Sequence, residues 1–299
     1  MLHAWSSARY TFPLPAGHRF PIEKYAMIRD KVLADGIVLA ENLHDSPRAS
    51  RTDLLRVHTE RYVDAFDAGT LTAAEQRLLG LPWSKELAER SLRATGATCE
   101  SALHALDAGV AMTFSGGTHH AFADHGEGFC VFNDVVVATR MLQARGRIAR
   151  AAVIDLDVHQ GNGTHELFAG DASAITFSMH GRKNYPFRKV GGTLDIELED
   201  GIGDDDYLAL LRSALPTVLA AANPDIVFYL AGSDTHEGDR LGRMKLTFDG
   251  LAQRDVMVFE SCRAVGIPVL AAVAGGYGKY IQDTVQIHVN TARIASTYA

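Results

Sequence analysis

Two carboxylates and an imidazole recur at every second position in the stretch VIDLDVHQGNG, residues 153–163. Asp155, Asp157 and His159 follow an apolar run that is typical of a buried strand. Because side chains two residues apart on a strand point the same way, Asp157 and His159 can converge on one ion while Asp155 lies beneath them. Two carboxylates and one neutral imidazole suit a divalent cation such as Zn²⁺. The third ligand must come from elsewhere, and Asp234 is the candidate.

Three protein ligands leave one coordination position for water, which is typical of a catalytic zinc site and not of a structural one. A zinc ion lowers the pKa of such a water to about 7. Two histidines in a glycine-rich stretch, His119 and His120, are suited to general acid–base chemistry beside it. Tyr277, on a second glycine-rich stretch, is suited to donate a hydrogen bond to the oxyanion of a carbonyl under attack.

Short apolar, β-branched runs alternate with amphipathic helical patterns from about residue 110 onwards. This rhythm predicts one α/β domain over residues 1–299, with three layers, α-β-α, around a mainly parallel central sheet. The region before it has mainly helical patterns. The predicted strands are VAMTF, RAAVIDLD, SAITFSMH, DIVFYLAG and IPVLAAVAGG, and the predicted helices between them cover about 133–145, 206–222 and 248–265.

Polar clusters follow four of these strands, at 115–120, 155–159, 231–234 and 274–277. In open α/β sheets, ligand sites form outside the carboxyl ends of the strands. Taken singly, an Asp-x-Asp-x-His run can be a solvated strand end, a His-His pair can be incidental, and a tyrosine usually packs. The agreement of four strand ends at one edge of the sheet favours a functional site.

The composition limits the class of protein. The chain has 299 residues, 47% of them hydrophobic, and a formal charge of -7, which argues against nucleic acid or an anionic membrane as a partner. No segment has the roughly 20 apolar residues of a membrane span or the pattern of a signal peptide. Cys99, Cys130 and Cys262 are too widely spaced for a disulfide framework or a Cys-x-x-Cys zinc site. We therefore expect a soluble, cytoplasmic protein.

These motifs together resemble those of the zinc-dependent histone deacetylases and their bacterial relatives, which have the arginase/deacetylase fold. The resemblance covers roughly residues 8–295, and FPLPAGHRFPIEKY near the N-terminus is most similar to the class IV and bacterial branch. The matching stretches are GGTHHAFADHGEGFCVFND, VIDLDVHQGNGTHELF, AGSDTHEGDRLG and AGGYG.

The resemblance implies a role for each residue of the site. The implied zinc ligands are Asp157, His159 and Asp234, which agrees with the interpretation above. His119 and His120 resemble the tandem catalytic histidines, with His120 as the base towards water and His119 in a more electrostatic role. Asp155 resembles the buried carboxylate that orients His119, and Tyr277 resembles the tyrosine that polarises the carbonyl.

The resemblance also implies how substrate and a second ion are held. Contacts to the substrate amide and walls of a narrow acyl-lysine tunnel are expected from Gly128, Phe129, Tyr185, Leu241 and Gly276. Members of the family bind a monovalent cation, K⁺, through backbone oxygens, which here would lie near Asp155, Asp157, His159, Ser178 and Met179.

Two residues depart from the best-known members of the family. Gln160 replaces a second histidine after His159, and we expect it to tune the site without abolishing it. Asn162 takes the place of a frequent aspartate that pairs with the second catalytic histidine. A neutral amide orients an imidazole but stabilises imidazolium less than a carboxylate does. Our hypothesis is that His120 is neutral in the resting protein and competent as a base.

The expected activity is hydrolysis of an Nε-acyl-lysine amide in a protein or peptide. Two other functions stay open: hydrolysis of a small acetylated amine, such as a polyamine or an acetoin-related metabolite, and a non-catalytic metal-binding scaffold. A binuclear arginase-like centre would need an acidic residue two positions after His159, where this chain has Gly161. The sequence leaves the acyl-chain length and the oligomeric state open.

Overall fold

The computed structural model describes all 299 residues, and eight strands form one sheet. The strands are β1 (His3–Ser6), β2 (Leu43–Asp45), β3 (Val110–Thr113), β4 (Ala151–Asp155), β5 (Ala174–Gly181), β6 (Leu194–Leu198), β7 (Ile226–Ala231) and β8 (Val269–Val273). Their order across the sheet is β2-β1-β3-β8-β7-β4-β5-β6, and every neighbouring pair is parallel.

Ten α-helices surround this sheet. They are α1 (Lys24–Ala34), α2 (Arg51–Leu54), α3 (Glu60–Ala68), α4 (Ala73–Leu79), α5 (Lys85–Ala108), α6 (Asp134–Ala144), α7 (Asn162–Leu167), α8 (Asp204–Ala222), α9 (Phe248–Ala264) and α10 (Ile281–Ser296). One buried core lies under α1, α8, α9 and α10, and a second lies under α3, α5 and α6 on the opposite face. The predicted three-layer α-β-α fold is therefore confirmed. None of the helices combines the length and the apolar character needed to cross a bilayer.

The central strands carry apolar residues on both faces. In β4, Ala152 and Ile154 belong to one core, whereas Ala151 and Val153 belong to the other. A strand that is covered on both sides has a continuous run of apolar residues in its sequence, because neither face is exposed to water. The same reason explains why β3, β7 and β8 could be identified from the sequence.

Three strands and two helices, one of them the six-residue α7, have no counterpart among the predicted elements. β1 and β2 are only four and three residues long, which is too short for an alternation to be visible. β6 is an edge strand with the polar sequence LDIEL, most of it partly exposed. α10 is absent from the predicted helices, although it packs on α1 and α9 and has buried residues such as Val285 and Val289.

Candidate metal and catalytic site

The predicted site residues lie together at the carboxyl edge of the sheet. The four strands that deliver them, β3, β8, β7 and β4, are neighbours at its centre. Their following loops carry His119 and His120, Tyr277, Asp234, and Asp157 with His159, in that order. Most of these residues line one cavity. The prediction that four polar strand ends meet at one place is therefore confirmed.

A potential metal-binding cluster is formed by Asp157, His159 and Asp234, whose ligand atoms all lie within 4.8 Å of one another. His159 Nδ1 is 3.0 Å from Asp157 Oδ1 and 3.2 Å from Asp234 Oδ2. All three side chains are buried. One nitrogen and two carboxylate oxygens are a donor set that Zn²⁺ accepts, with room for a further ligand.

The cluster is held by a turn and not by an extension of β4. The strand ends at Asp155. The prediction that it continues, with alternating side chains, to Asp157 and His159 is therefore wrong. Carboxylates instead accept the free backbone amides of the turn: Asp155 Oδ1 accepts Asp157 N at 3.1 Å, and Asp157 Oδ1 accepts His159 N at 2.9 Å. Asp234 Oδ1 accepts Val158 N at 2.9 Å, which fastens the β7 loop to this turn.

A cation fits between the two carboxylates. Asp234 Oδ2 is buried and has no hydrogen-bond partner in the chain. A Cβ atom on Gly275 would lie 1.9 Å from this oxygen, so the glycine keeps the space open. Burial and the charge of Asp157 raise the pKa of Asp234 to about 7. A divalent cation removes that repulsion, because it favours the ionised form of both carboxylates.

The two neighbouring histidines have opposite electrostatic environments. Burial alone would lower the pKa of His119, but the charge of Asp155, whose Oδ2 is 2.6 Å from His119 Nδ1, raises it to about 9. Burial and the positive charge of His119 hold the pKa of His120 well below its ordinary value. At neutral pH the first ring is therefore cationic and the second neutral. This agrees with the hypothesis that His120 is neutral in the resting protein.

The loop that carries the histidines is fixed by Asp134, at the beginning of α6. Its carboxylate accepts the backbone amides of Gly117 at 3.1 Å and Thr118 at 2.8 Å, and also the Thr98 hydroxyl at 2.6 Å. A short loop with several such anchors presents its next two side chains in a fixed orientation. His119 and His120 follow directly.

His120 is bonded to a side chain that is itself bonded to a carboxylate. Asn162 Oδ1 lies 2.7 Å from His120 Nδ1, and Asn162 Nδ2 donates to Glu127 Oε1 at 3.0 Å. Although burial opposes its ionisation, hydrogen bonds that include those of His125, Tyr185 and Asn162 lower the pKa of Glu127. An ionised carboxylate only accepts, so the Asn162 oxygen must face the histidine. His120 therefore donates from Nδ1 and keeps a lone pair on Nε2.

The cavity adjoins a second, more open pocket, which we call the tunnel mouth and which is lined by Phe129, Tyr185, Leu241 and Tyr277 among others. One side of it is built on a tight turn at Glu127–Cys130. Gly128 has a φ of +55° and Phe129 a φ of +69°, and Phe129 N donates to Leu79 O at 2.8 Å. A phenylalanine in this conformation is strained and persists only where its surroundings hold it. Its ring lies 6.1 Å from that of Tyr277.

Tyr185 lies on another side of the mouth. Its ring packs edge-on against that of His120 at 5.1 Å, and its hydroxyl donates a hydrogen bond to Glu127.

The remaining predicted residues lie near the tunnel in different ways. Tyr277 lines both the inner cavity and its mouth, and its ring is 6.3 Å from that of His159. Leu241 also lines the mouth. Gly276 packs against Ser233, whose Oγ would be 2.1 Å from an added Cβ. Gln160 turns away from the metal cluster, because its amide bonds to both backbone groups of Val190.

The cavity continues inward beyond the cluster and is small, about 80 Å³. Its inner end is lined by two buried cations, Lys24 and Arg90. Lys24 Nζ donates to Ala274 O at 2.9 Å, and Arg90 Nη1 donates to Ser7 O at 2.6 Å. Both cations thus bond to neutral carbonyls, so this end of the cavity favours an anionic group.

Two carboxylates with a positioning role were not identified from the sequence. Glu127 holds Asn162 and Tyr185 as described above. Asp239 accepts the backbone amides of Tyr277 at 2.6 Å and Leu241 at 2.7 Å, which joins two loops of the tunnel mouth. Both lie inside the quoted motifs, in GEGFC and GDRLG, where a charged residue among glycines was the available signal.

Fold and site together define a class of α/β protein: one with a metal-binding cluster and paired histidines at the carboxyl edge of a parallel sheet. Residues 18–292 match the model of the histone deacetylase domain. The chain therefore belongs to the histone deacetylase family, whose members are deacetylases and related amidohydrolases.

Three comparisons illustrate this membership. The chain is 44% identical to an uncharacterized protein of Picosynechococcus sp., over 93% of both chains. It is 32% identical to histone deacetylase 2 of Arabidopsis thaliana, over 88% of this chain and 70% of that protein. The crystal structure of a histone deacetylase homologue from Aquifex aeolicus superimposes with a TM-score of 0.86 at 22% identity, covering 100% of this chain and 84% of that one. This last likeness supports the fold alone.

Proposed function

We propose that this chain is a zinc-dependent hydrolase of Nε-acyl-lysine amides in proteins or peptides. The observation that carries the proposal is the buried Asp157, His159 and Asp234 cluster, which lies in a cavity that His120 and Tyr277 also line. The aromatic rings of Phe129 and Tyr185, which line the mouth, suit the apolar stem of a long, unbranched side chain such as acyl-lysine. As the resemblance implies, a K⁺ ion is expected near Ser178 and Met179.

The three clustered side chains would hold the zinc ion. When bound, zinc supplies a Lewis acid for the carbonyl and lowers the pKa of a water molecule. The neutral His120 accepts the proton of the attacking water at Nε2. As the C–N bond breaks, a histidine returns a proton to the lysine nitrogen, and the acyl group leaves as a carboxylate. His119, kept cationic by Asp155, stabilises the negative charge that develops beside it.

Tyr277 acts on the carbonyl oxygen. Burial, then the charges of Asp157 and Asp234, raise the pKa of Tyr277 well above its ordinary value, so the phenol keeps its proton. A retained O–H group can donate a hydrogen bond to the oxygen as it becomes negative. Asp239, which binds the Tyr277 amide, holds the loop that carries this group.

The size of the cavity indicates a short acyl group. A cavity of about 150 Å³ holds a benzene molecule, so about 80 Å³ accommodates an acetyl or similarly small group. We expect zinc-loaded protein to hydrolyse acetyl-lysine peptides at least about tenfold faster than myristoyl-lysine peptides, measured by mass spectrometry as kcat/KM. Faster turnover of an acetylated polyamine would favour the small-molecule function. Zinc binding without turnover of any of these substrates would favour a scaffold.

The Asn162–Glu127 pair offers a test of how His120 is kept neutral. We expect the doubly substituted Asn162→Asp, Glu127→Gln protein to have an acidic limb of its kcat/KM profile shifted upward by about one to three pH units. The reason is that a carboxylate in direct contact with an imidazole raises its pKa by roughly that amount. The double substitution keeps a single carboxylate in the network, so that two carboxylates do not repel each other.

The single Glu127→Gln protein is the matched control. It removes the carboxylate behind Asn162 without placing one in contact with His120, so its acidic limb should stay where the wild type has it or move lower. Its kcat should fall by about tenfold or more, because a glutamine no longer fixes the amide orientation of Asn162. An acidic limb that is the same in the doubly substituted and wild-type proteins would show that His120 does not determine it.

A further inference from the structure

The outer mouth of the tunnel is ringed by positive charge. Its lining includes the exposed side chains of Arg19, Lys183, Arg240 and Arg243, and no carboxylate. This contrasts with the chain as a whole, which has a formal charge of -7. A cationic ring on an acidic protein is a local feature that overall composition does not explain.

Little of this charge is neutralised by the protein itself. Only Lys183 and Arg243 pair with a carboxylate, that of Asp200, at 3.6 and 3.3 Å. Arg240 Nε donates to the carbonyl of Tyr277 at 3.0 Å, which anchors its stem above the tunnel. Arg19 is exposed beside it. Glu127 and Asp239, the other carboxylates near the mouth, accept hydrogen bonds from within the chain, so the lining itself presents four cations and no carboxylate.

The position of the charge identifies which part of a substrate would meet it. On the proposed function, the acyl-lysine side chain would enter past Phe129 and Tyr185, which line the same mouth as the four cations. The residues on either side of that lysine must therefore lie across the rim, where Arg19 and Lys183 stand. A ring of one sign attracts groups of the opposite sign and raises their rate of association.

We propose that this protein selects acyl-lysines whose flanking residues are acidic. This rests on the proposed function, of which it names the substrate class. Aspartate or glutamate beside the lysine pairs with the rim cations, whereas lysine or arginine there is repelled. An acetylated polyamine carries positive charges along its chain, so the same ring disfavours it as a substrate.

The test compares three peptides with one acetyl-lysine core and with Glu, Gln or Lys at the flanking positions. At low ionic strength we expect kcat/KM to be about tenfold or more higher for the Glu peptide than for the Lys peptide, mainly through KM. The difference should shrink towards equality near 1 M salt, where the screening length falls to about 3 Å. Equal values for the three peptides at low salt would overturn the proposal.

Variants of the rim locate the effect. The Arg19→Gln, Lys183→Gln protein should lose most of the preference, so that its kcat/KM values for the Glu, Gln and Lys peptides approach one another. The matched control is the Arg212→Gln, Lys85→Gln protein, which removes two exposed cations that lie outside the mouth. A preference that survives in the rim variant, or that disappears equally in the control, would contradict the assignment to the rim.

Binding separates this proposal from the proposed function. Fluorescence anisotropy of the three labelled peptides with zinc-loaded Tyr277→Phe protein measures recognition while hydrolysis is slowed, by an expected factor of about 10² to 10³. The Glu peptide should bind about tenfold more tightly than the Lys peptide. If no peptide is hydrolysed by the wild type but this preference holds, the acidic ligand class stands and the hydrolase is refuted. If hydrolysis occurs and the three affinities are equal, the rim proposal fails alone.

Discussion

Replacing Asp234 by asparagine is expected to abolish both zinc retention and hydrolysis. Asparagine keeps the oxygen that accepts Val158 N but places an amide where the unpartnered Oδ2 now points into the cluster. Removing a residue that hydrogen-bonds to a metal ligand lowers the affinity for the metal about 10- to 100-fold. Removing a ligand itself should therefore lower the zinc affinity more than about 100-fold. Zinc content by atomic absorption after dialysis and turnover of an acetyl-lysine peptide measure the two effects.

Thermal unfolding distinguishes this effect from simple misfolding. The pKa of Asp234 is raised from 3.8 to about 7 in the folded protein, so without metal stability falls as the pH rises between these two values, and the full cost remains at pH 8. At pH 8 the chelated Asp234→Asn protein should therefore melt above the chelated wild type, and added zinc should raise the melting temperature of the wild type alone. Asp205→Asn, an exposed substitution in α8, should behave as wild type. A zinc-dependent increase in Asp234→Asn would show that Asp234 is not a ligand.

Replacing Tyr277 by phenylalanine is expected to lower kcat by about 10²- to 10³-fold with little change in KM or zinc content. This is the usual cost of removing one hydrogen-bond donor to a developing oxyanion. The ring, its contact with Phe129 and the backbone bond to Asp239 all remain. Initial rates over a range of peptide concentrations give kcat and KM separately. A zinc determination on the same protein shows whether the ion is retained.

The matched control is Tyr280→Phe, three residues further along the same loop, where the side chain is 59% exposed. Its kcat should equal that of the wild type. A Tyr277→Phe protein with unchanged kcat would remove the tyrosine from the mechanism. A rise in KM with unchanged kcat would show that Tyr277 stabilises the bound substrate and the transition state by the same amount, and so only contributes to binding.

Much of the fold was predictable because both faces of the central strands are buried. β3, β4, β7 and β8 appear in the sequence as apolar runs that end in polar clusters, and those clusters meet at one edge as expected. β1 and β2 could not be identified, because three or four residues do not define a period. β2 takes its place by pairing with β1, and β1 by pairing with β3; Ala4, for example, lies between Leu43 and Met112, which are both far away in the sequence.

The site was predictable in residue type but not in how its parts are held. The sequence placed Asp157 and His159 on a strand, whereas a turn whose amides bond to Asp155 and Asp234 brings them together. Glu127 was overlooked because its effect on His120 passes through Asn162, and such a chain of hydrogen bonds is visible only in three dimensions. Asn162 itself is neutral, but it is hydrogen-bonded to the Glu127 carboxylate, which therefore lies one hydrogen bond further from His120.

The central claim is that one zinc ion in the cluster makes this chain hydrolyse acyl-lysine amides. The most direct test is to titrate zinc into chelated protein and to follow, by mass spectrometry, conversion of an acetyl-lysine peptide into the free-lysine peptide. We expect no product in the absence of zinc and a rate that rises linearly to a plateau at about one zinc per chain. Turnover that does not depend on zinc, or tight zinc binding without any free-lysine product, would contradict the claim.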